Sequence, residues 1–207
     1  REKIRSQMGA LGSVMAWEDD NLTAQIRDFM NAPADTALHI MTDAAGSLTR
    51  DDAKKHGFTL LNSYLNVGDQ SMPETYFHPA ELYRAMSAGV KVSTSQASVF
   101  ERHQCYASAL ARFEKVLYLC VGSVFTGNYS VAMEWKKKHD PENRLTVIDT
   151  GAASGRLGTM VFATQSFLMK TKDMDRTIAF ARDAVARCEE YVDRKSTRLN
   201  SSHVSQS

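Results

Sequence analysis

The sequence is short of several things that would narrow its function quickly. It has three cysteines in 207 residues, Cys105, Cys120 and Cys188, an odd and widely spaced set. They argue against a disulfide framework and a zinc knuckle, and the compartment they suggest is the cytoplasm. No apolar run approaches the ~20 residues of a membrane-spanning helix. Lys+Arg 25 against Asp+Glu 24 leaves no excess of either sign. That balance removes the basic footprint on which nucleic-acid binding depends. Glu2, Glu18, Asp19 and Asp20 fall within the first twenty residues, so a secretory signal is not expected. No internal repeat is visible.

What is present is an ordinary globular composition, 43% hydrophobic and 24% charged, enough for one buried core plus some terminal excess. The chain opens on Arg1 rather than Met, as expected of a fragment of something longer. Ile4, Met8, Leu11 and Met15, then Leu22, Ile26 and Met30, make a helical stripe interrupted by Glu18 to Asp20. Residues 1–36 are therefore expected to form a helical extension closing in a linker at Asn31 to Asp35.

From Ala37 the rhythm changes. Ala37 to Met41 predicts a strand ending in the polar Thr42 and Asp43. Leu48 to Asp52 starts a short helix that Gly57 stops, and Phe58 to Val67 reads as one second strand. Gly68 and Asp69 fit a turn, and His78 with Pro79 opens a helix running to Gly89. Val90 to Val92 is extended and leads into a polar loop, Ser93 to Ser98. A helix follows from about Ser98, with Val99, Tyr106, Ala109, Leu110 and Phe113 toward the core. Val116 to Val121 is the most apolar strand, followed by a loop over 122–127 and a helix from Asn128 to Lys138. Leu145 to Asp149 is another strand, and helices are expected over 155–171 and 174–192.

This alternation predicts an α/β fold, three layers with helices on both faces of a mostly parallel sheet. Ligands then lie outside the carboxyl ends of the strands, in the loops after Met41, Val92, Val121 and Ile148. Thr94, Ser95, Gln96 and Ser98 crowd hydroxyls and an amide ahead of a helix, a seat for an anion, although taken alone the loop is better explained by capping from Ser95 or Ser98. Gly122 to Tyr129 repeats the pattern with Ser123, Thr126 and Gly127. Gly151 to Gly158 imitates a dinucleotide fingerprint, but its spacing is not G-x-G-x-x-G and no acidic residue closes a following strand. Tight strand-to-helix packing is the expected use of those glycines. His103 and Cys105 point to different helix faces, no serine sits in G-x-S-x-G, and no catalytic machinery is visible.

Taken together the loops resemble the DegV family, whose better-studied members are fatty-acid-binding subunits of bacterial fatty acid kinase. The resemblance runs from about Leu38 to Val192. Met41 to Asp43 stands for the family's T-D-S, and Tyr76 to Ala85 for the stretch leading into an E-F-Y helix. Thr94 to Ser98 stands for T-S-Q-P-S, Ser123 to Ala132 for S-x-L-S-G-T-Y-Q-S-A, and Val147 to Thr150 for V-I-D-S.

The resemblance implies a Rossmann-like DegV N-terminal domain over residues 37–193 that binds a long-chain fatty acid by its carboxylate. The acid would be presented to a separate fatty acid kinase for conversion to an acyl phosphate. No cofactor or metal is implied, and the chain alone would not be an enzyme. By position, Thr94, Ser95, Thr126 and Gly127 would hold the carboxylate. Asp43, Ser93, Gln96, Ser123, Asn128, Asp149 and Thr150 would support the pocket. Ala44 stands where the family has Ser, Ala97 where it has Pro, Thr126 where it has Ser, and Asn128 where it has Thr, making the pocket a variant. The family's second domain, with an arginine and a histidine implicated in binding and phosphotransfer, falls beyond the match. Ser196 to His203 resembles a non-native tail found in assembled sequences, which sets residues 194–207 apart. The alternatives are an α/β phosphotransferase or nucleotide-dependent oxidoreductase using the Gly151–Gly158 loop, or a module of a larger kinase fusion.

Overall fold

The computed structural model describes residues 37–191; the readings made for residues 1–36 and 194–207 lie outside them. In chain order the elements are β1 (Leu38–Asp43), α1 (Arg50–His56), β2 (Thr59–Leu61), β3 (Ser63–Val67), β4 (Gln70–Pro73) and α2 (Pro79–Ser87). There follow β5 (Val92–Gln96), α3 (Val99–Arg112), β6 (Lys115–Cys120), α4 (Asn128–His139), β7 (Leu145–Asp149), α5 (Ser154–Thr171) and α6 (Met174–Arg187).

Local chemistry accounts for several boundaries. Thr49 and Asp52 form a reciprocal capping box at the start of α1, satisfying two backbone donors that the first turn leaves free. Gly57 ends that helix at φ +74°, where its N–H donates to the Ala53 carbonyl at 2.8 Å, a left-handed conformation that suits glycine. Ser98 caps α3 by accepting from the Glu101 N–H at 3.1 Å, so the capping role falls to Ser98 and not to Ser95.

β2, β1, β6 and β7 lie in that order in one wholly parallel sheet. Every β6 residue from Val116 to Cys120 is buried, as a central strand covered on both faces requires. On the face presented by Tyr118, α3 and α4 supply Tyr106 and Trp135, with ring centroids 5.8 Å apart for Tyr118–Tyr106 and 5.5 Å for Tyr106–Trp135. α5 and α6 pack against each other as the second helical layer, their Phe167 and Phe180 rings stacked at 4.5 Å. The three-layer α/β architecture is the expected one. His39 is a core histidine: it stacks on Phe113 with ring centroids 4.0 Å apart and pairs with the Thr59 hydroxyl at 2.9 Å. Burial, helped by the nearby Arg112 charge, pushes its pKa down to about 3.

Four expectations need correction. Phe58 to Val67 is two strands in different sheets, broken at the buried Asn62, whose side-chain carbonyl accepts from the Thr75 hydroxyl at 2.8 Å. Ser93 to Gln96 is not a loop. It lies within β5, which joins β3 and β4 in a second, antiparallel sheet of order β4-β3-β5, with Thr94 opposite Leu65 and Ser95 opposite Tyr64. Pairing with β3 takes up the backbone groups on one side of β5, an edge strand, which the sequence of hydroxyls did not announce. Val99 is 54% exposed and not core, since it sits at the first position of α3 beyond the sheet. Finally, α6 stops at Arg187.

Candidate functional site

In the parallel sheet the chain leaves β1 for β2 on one side, and β6 lies on the other. The crevice between the carboxyl ends of β1 and β6 is thus a topological switch point, where such sheets bind ligands. Of the four loops singled out by sequence, those after β1, β6 and β7 lie at this edge. The fourth does not, because β5 belongs to the other sheet.

Asp43, the last residue of β1, fills the base of the crevice and is 2% exposed. Tyr118 donates its hydroxyl to Asp43 Oδ1 at 2.8 Å, and the Val121 N–H donates to Oδ2 at 2.8 Å. The Asn128 side-chain amide donates to Oδ1 at 2.9 Å, and Arg102 supplies the opposite charge at 3.3 Å. A carboxylate held by four donors is already satisfied, so Asp43 serves as an internal anchor and leaves ligand contact to other groups.

Above it, the loop after β6 turns tightly, the Phe125 N–H donating to the Gly122 carbonyl at 2.9 Å. The Thr126 hydroxyl accepts from the Asn128 N–H at 3.3 Å, which leaves its own proton to donate. α4 starts after Gly127, which has no side chain to cap with, so that only the Asn128 N–H is taken, by Thr126. No acidic residue stands in its first turn, and the space where a Gly127 Cβ would stand is open. α5 begins the same way at Ala153, uncapped and without an acid. Uncapped helix N-termini present free N–H groups and a partial positive charge, a setting that favours an anion.

The loop after β7 is tied to the same edge. The Ser123 and Gly151 N–H groups donate to Asp149 Oδ1 at 2.9 and 3.1 Å. Burial would raise the Asp149 pKa, but the hydrogen bonds from Ser123 and Gly151 outweigh it and hold the carboxyl below its usual range. Thr150 is buried and donates its hydroxyl to the Cys120 carbonyl at 2.7 Å. Two glycines do the close packing. A Cβ on Gly122 would stand 2.7 Å from the Gly151 carbonyl carbon, and one on Gly158 would stand 2.4 Å from the Gly46 carbonyl oxygen. Gly158, at least, is used to bring a helix against the turn after β1, the role expected for that loop.

On β5, Ser93, Thr94, Ser95 and Gln96 are all exposed, and the Ser95 hydroxyl oxygen accepts from the Asn66 amide at 3.3 Å. The structure therefore gathers Asp43 with Asn128, Ser123 with Asp149, and Thr126 with Gly127. The Thr94–Gln96 group stands on a separate sheet, joined to the first through Ala97 and α3. Arg102 and Tyr118 escaped the sequence reading. Arg102 had a signal: it stands three, four and seven positions before Cys105, Tyr106 and Ala109 on the buried stripe of α3, and an arginine in a core stripe calls for a buried carboxylate. Burial pushes the Cys105 thiol up to about 12, so it supplies no thiolate. Among the described residues no cluster of His, Cys, Asp or Glu has metal-binding geometry.

Comparison with known proteins agrees with this architecture. The model of the family described as "Uncharacterised protein, DegV family" matches residues 37–192. The DegV domain-containing protein YteA of Lactococcus lactis is 27% identical over 158 residues, 73% of this chain and 55% of its own length. The chain thus spans about half the length of this relative. Among solved structures, a DegV family protein from Thermus thermophilus, described for its fatty acid binding, superposes with a TM-score of 0.63 at 24% identity. That match covers 72% of this chain and 53% of that one. The fatty acid kinase B3 protein of Streptococcus pneumoniae, loaded with linoleic acid, superposes with a TM-score of 0.55 at 13% identity, covering 70% and 53%.

Proposed function

The chain belongs to the DegV family, and from that premise we propose that it binds a long-chain fatty acid by its carboxylate at the switch-point edge. The observation that carries this reading is the loop after β6. It combines a threonine hydroxyl with a free proton, an open glycine and a helix N-terminus with no acid in its first turn. Neutral donors of this kind hold a carboxylate without removing its charge. Thr126 and Gly127 form one set of donors and Thr94 on β5 supplies the other, while the Ser95 side chain, on the opposite face of the strand, stands beside it and not in the same grip. Ser93, Gln96, Ser123, Asp149 and Thr150 shape the surroundings, with Asp43 and Asn128 beneath. Val124 and Phe125, 78% and 61% exposed, lie within the same loop and would flank the acyl chain.

The carboxylate would then be offered to a separate kinase, which phosphorylates one of its oxygens to give an acyl phosphate. The S. pneumoniae neighbour, a fatty acid kinase B protein loaded with linoleic acid, supports this finer assignment, which extends to a whole protein longer than this chain. Helices long and apolar enough to cross a membrane are absent from the described residues.

Native mass spectrometry with lipid extraction tests the reading. The expected result is a co-purifying fatty acid, with retention weakened by ~1–3 kcal/mol in Thr94→Ala or Thr126→Ala, the cost of leaving a charged acceptor short of one donor. Equal occupancy in wild type and both variants would reject these seats. Absence of lipid together with a mass shift on adding a nucleotide would favour an enzyme using the Gly151–Gly158 loop.

A further inference from the structure

Asp43 connects the two sets of donors assigned above. Through Arg102 it holds α3, the helix that directly continues the Thr94–Ser98 segment. Through the Val121 N–H and the Asn128 amide it holds both ends of the loop that carries Thr126 and Gly127. Arg102 and Asn128 are 2% and 3% exposed, so neither is free to swing, and Tyr118 braces the same carboxylate from within β6. The two donor segments stand on different sheets. The carboxylate ties them together through side chains at either end.

We propose that Asp43, Arg102 and Asn128 are positioning residues that fix the separation between the Thr94 and Thr126–Gly127 donors, and so set the headgroup the site accepts. This rests on the fatty acid reading for its ligand, but its mechanical part stands without it. A rigid separation suits a small planar anion that two donor sets grip at once, because donors on a pre-organised backbone cost less to order on binding. The Asn128 amide is specific to this arrangement. Its reach to Asp43 Oδ1 is what ties the first turn of α4 to β1, and a shorter side chain would leave that carboxylate oxygen with fewer donors.

The test is hydrogen exchange and oleic acid titration on the delipidated 207-residue chain, comparing Asn128→Leu, Arg102→Lys and a remote control, Leu168→Ala in α5. Asn128→Leu is expected to speed exchange selectively over 121–128, leaving 94–98 and α5 as in wild type. Arg102→Lys, which shortens the tie to α3 while keeping the charge, is expected to loosen 94–98 as well. Oleic acid affinity should fall roughly tenfold in each, and by clearly less in Leu168→Ala at a comparable loss of melting temperature. The proposal is overturned if exchange over 121–128 is unchanged, or if affinity merely follows melting temperature across all three variants. Should wild type take up no oleic acid, the fatty acid reading fails. The exchange pattern then decides the positioning role alone, selective loosening supporting it and uniform or absent change rejecting it.

Discussion

The two sheets of this chain are built to different standards. In the parallel sheet, β1 and β6 are buried almost end to end, and helices on both faces complete a core that includes Ile40, Met41, Leu117, Leu119, Leu145 and Leu157. The antiparallel lobe of β3, β4, β5 and α2 buries almost nothing. β3 is half-buried along its length, β5 is exposed from Ser93 onward, and α2 has no buried residue although Tyr83 and Met86 are more than half exposed. The first region carries the stability, and the second is held by its backbone ladder and a few polar ties such as Tyr64 to Glu101 at 2.9 Å. Stability scales with apolar area removed from water, so the lobe draws its order from the sheet it is attached to.

The contrast is open to measurement, the core first. Leu117→Ala, at the centre of β6 and fully buried, is expected to cost about 2–5 kcal/mol in chemical denaturation. Gly122→Ala comes next, at about 1–3 kcal/mol, because its Cβ would meet backbone atoms of Gly151 and Ala152 that cannot swing aside. An unchanged denaturation midpoint in either variant would contradict the packing described. His39 gives a pH signature. Its pKa is about 3 in the fold against an ordinary 6.5, so between those values the unfolded chain takes up a proton that the folded one refuses. The stability from this group is complete above the ordinary value and declines as pH falls, by at most about 1.4 kcal/mol per pH unit. His39→Phe should flatten that acid limb; an identical slope would assign it elsewhere. The smallest effect belongs to the lobe. Tyr83→Ser, at an exposed site on α2, should shift stability by no more than about 0.5 kcal/mol, and a larger loss would mean that α2 is covered.

The same division separates what the sequence announced from what it concealed. The parallel strands were legible because burial on both faces leaves unbroken apolar runs such as Val116 to Val121, bounded by loops rich in glycine. The break at Asn62 had no glycine or proline to mark it. The chain changes sheets there through a buried amide bonded to Thr75, and apolar residues continue on both sides of the break, Leu60 and Leu61 before it and Tyr64 and Leu65 after it, as though in one strand. Thr94 to Gln96 misled for a related reason. Hydroxyl side chains signal loops and caps locally, and the pairing that makes them a strand comes from β3, some thirty residues earlier. Within the site, the loop after β6 was visible as hydroxyls and glycines leading into a helix. The anchor beneath it was visible only in part: the resemblance pointed to Asp43 and Asn128, but Arg102 and Tyr118 complete it from positions that meet them only in space.

The sheet order also bears on how the chain is made. β1 is an inner strand, yet its partner β6 lies far downstream, the Thr42 hydroxyl bonding the Leu119 carbonyl across a separation of 77 residues. On a ribosome, β1 emerges early and has only the three-residue β2 to pair with until β6 has followed it out. Closing so long a loop is slow relative to local helix formation. The nascent chain therefore passes through a stage in which the apolar edge of β1 is unpaired, and the exposed lobe between them is synthesised during that wait.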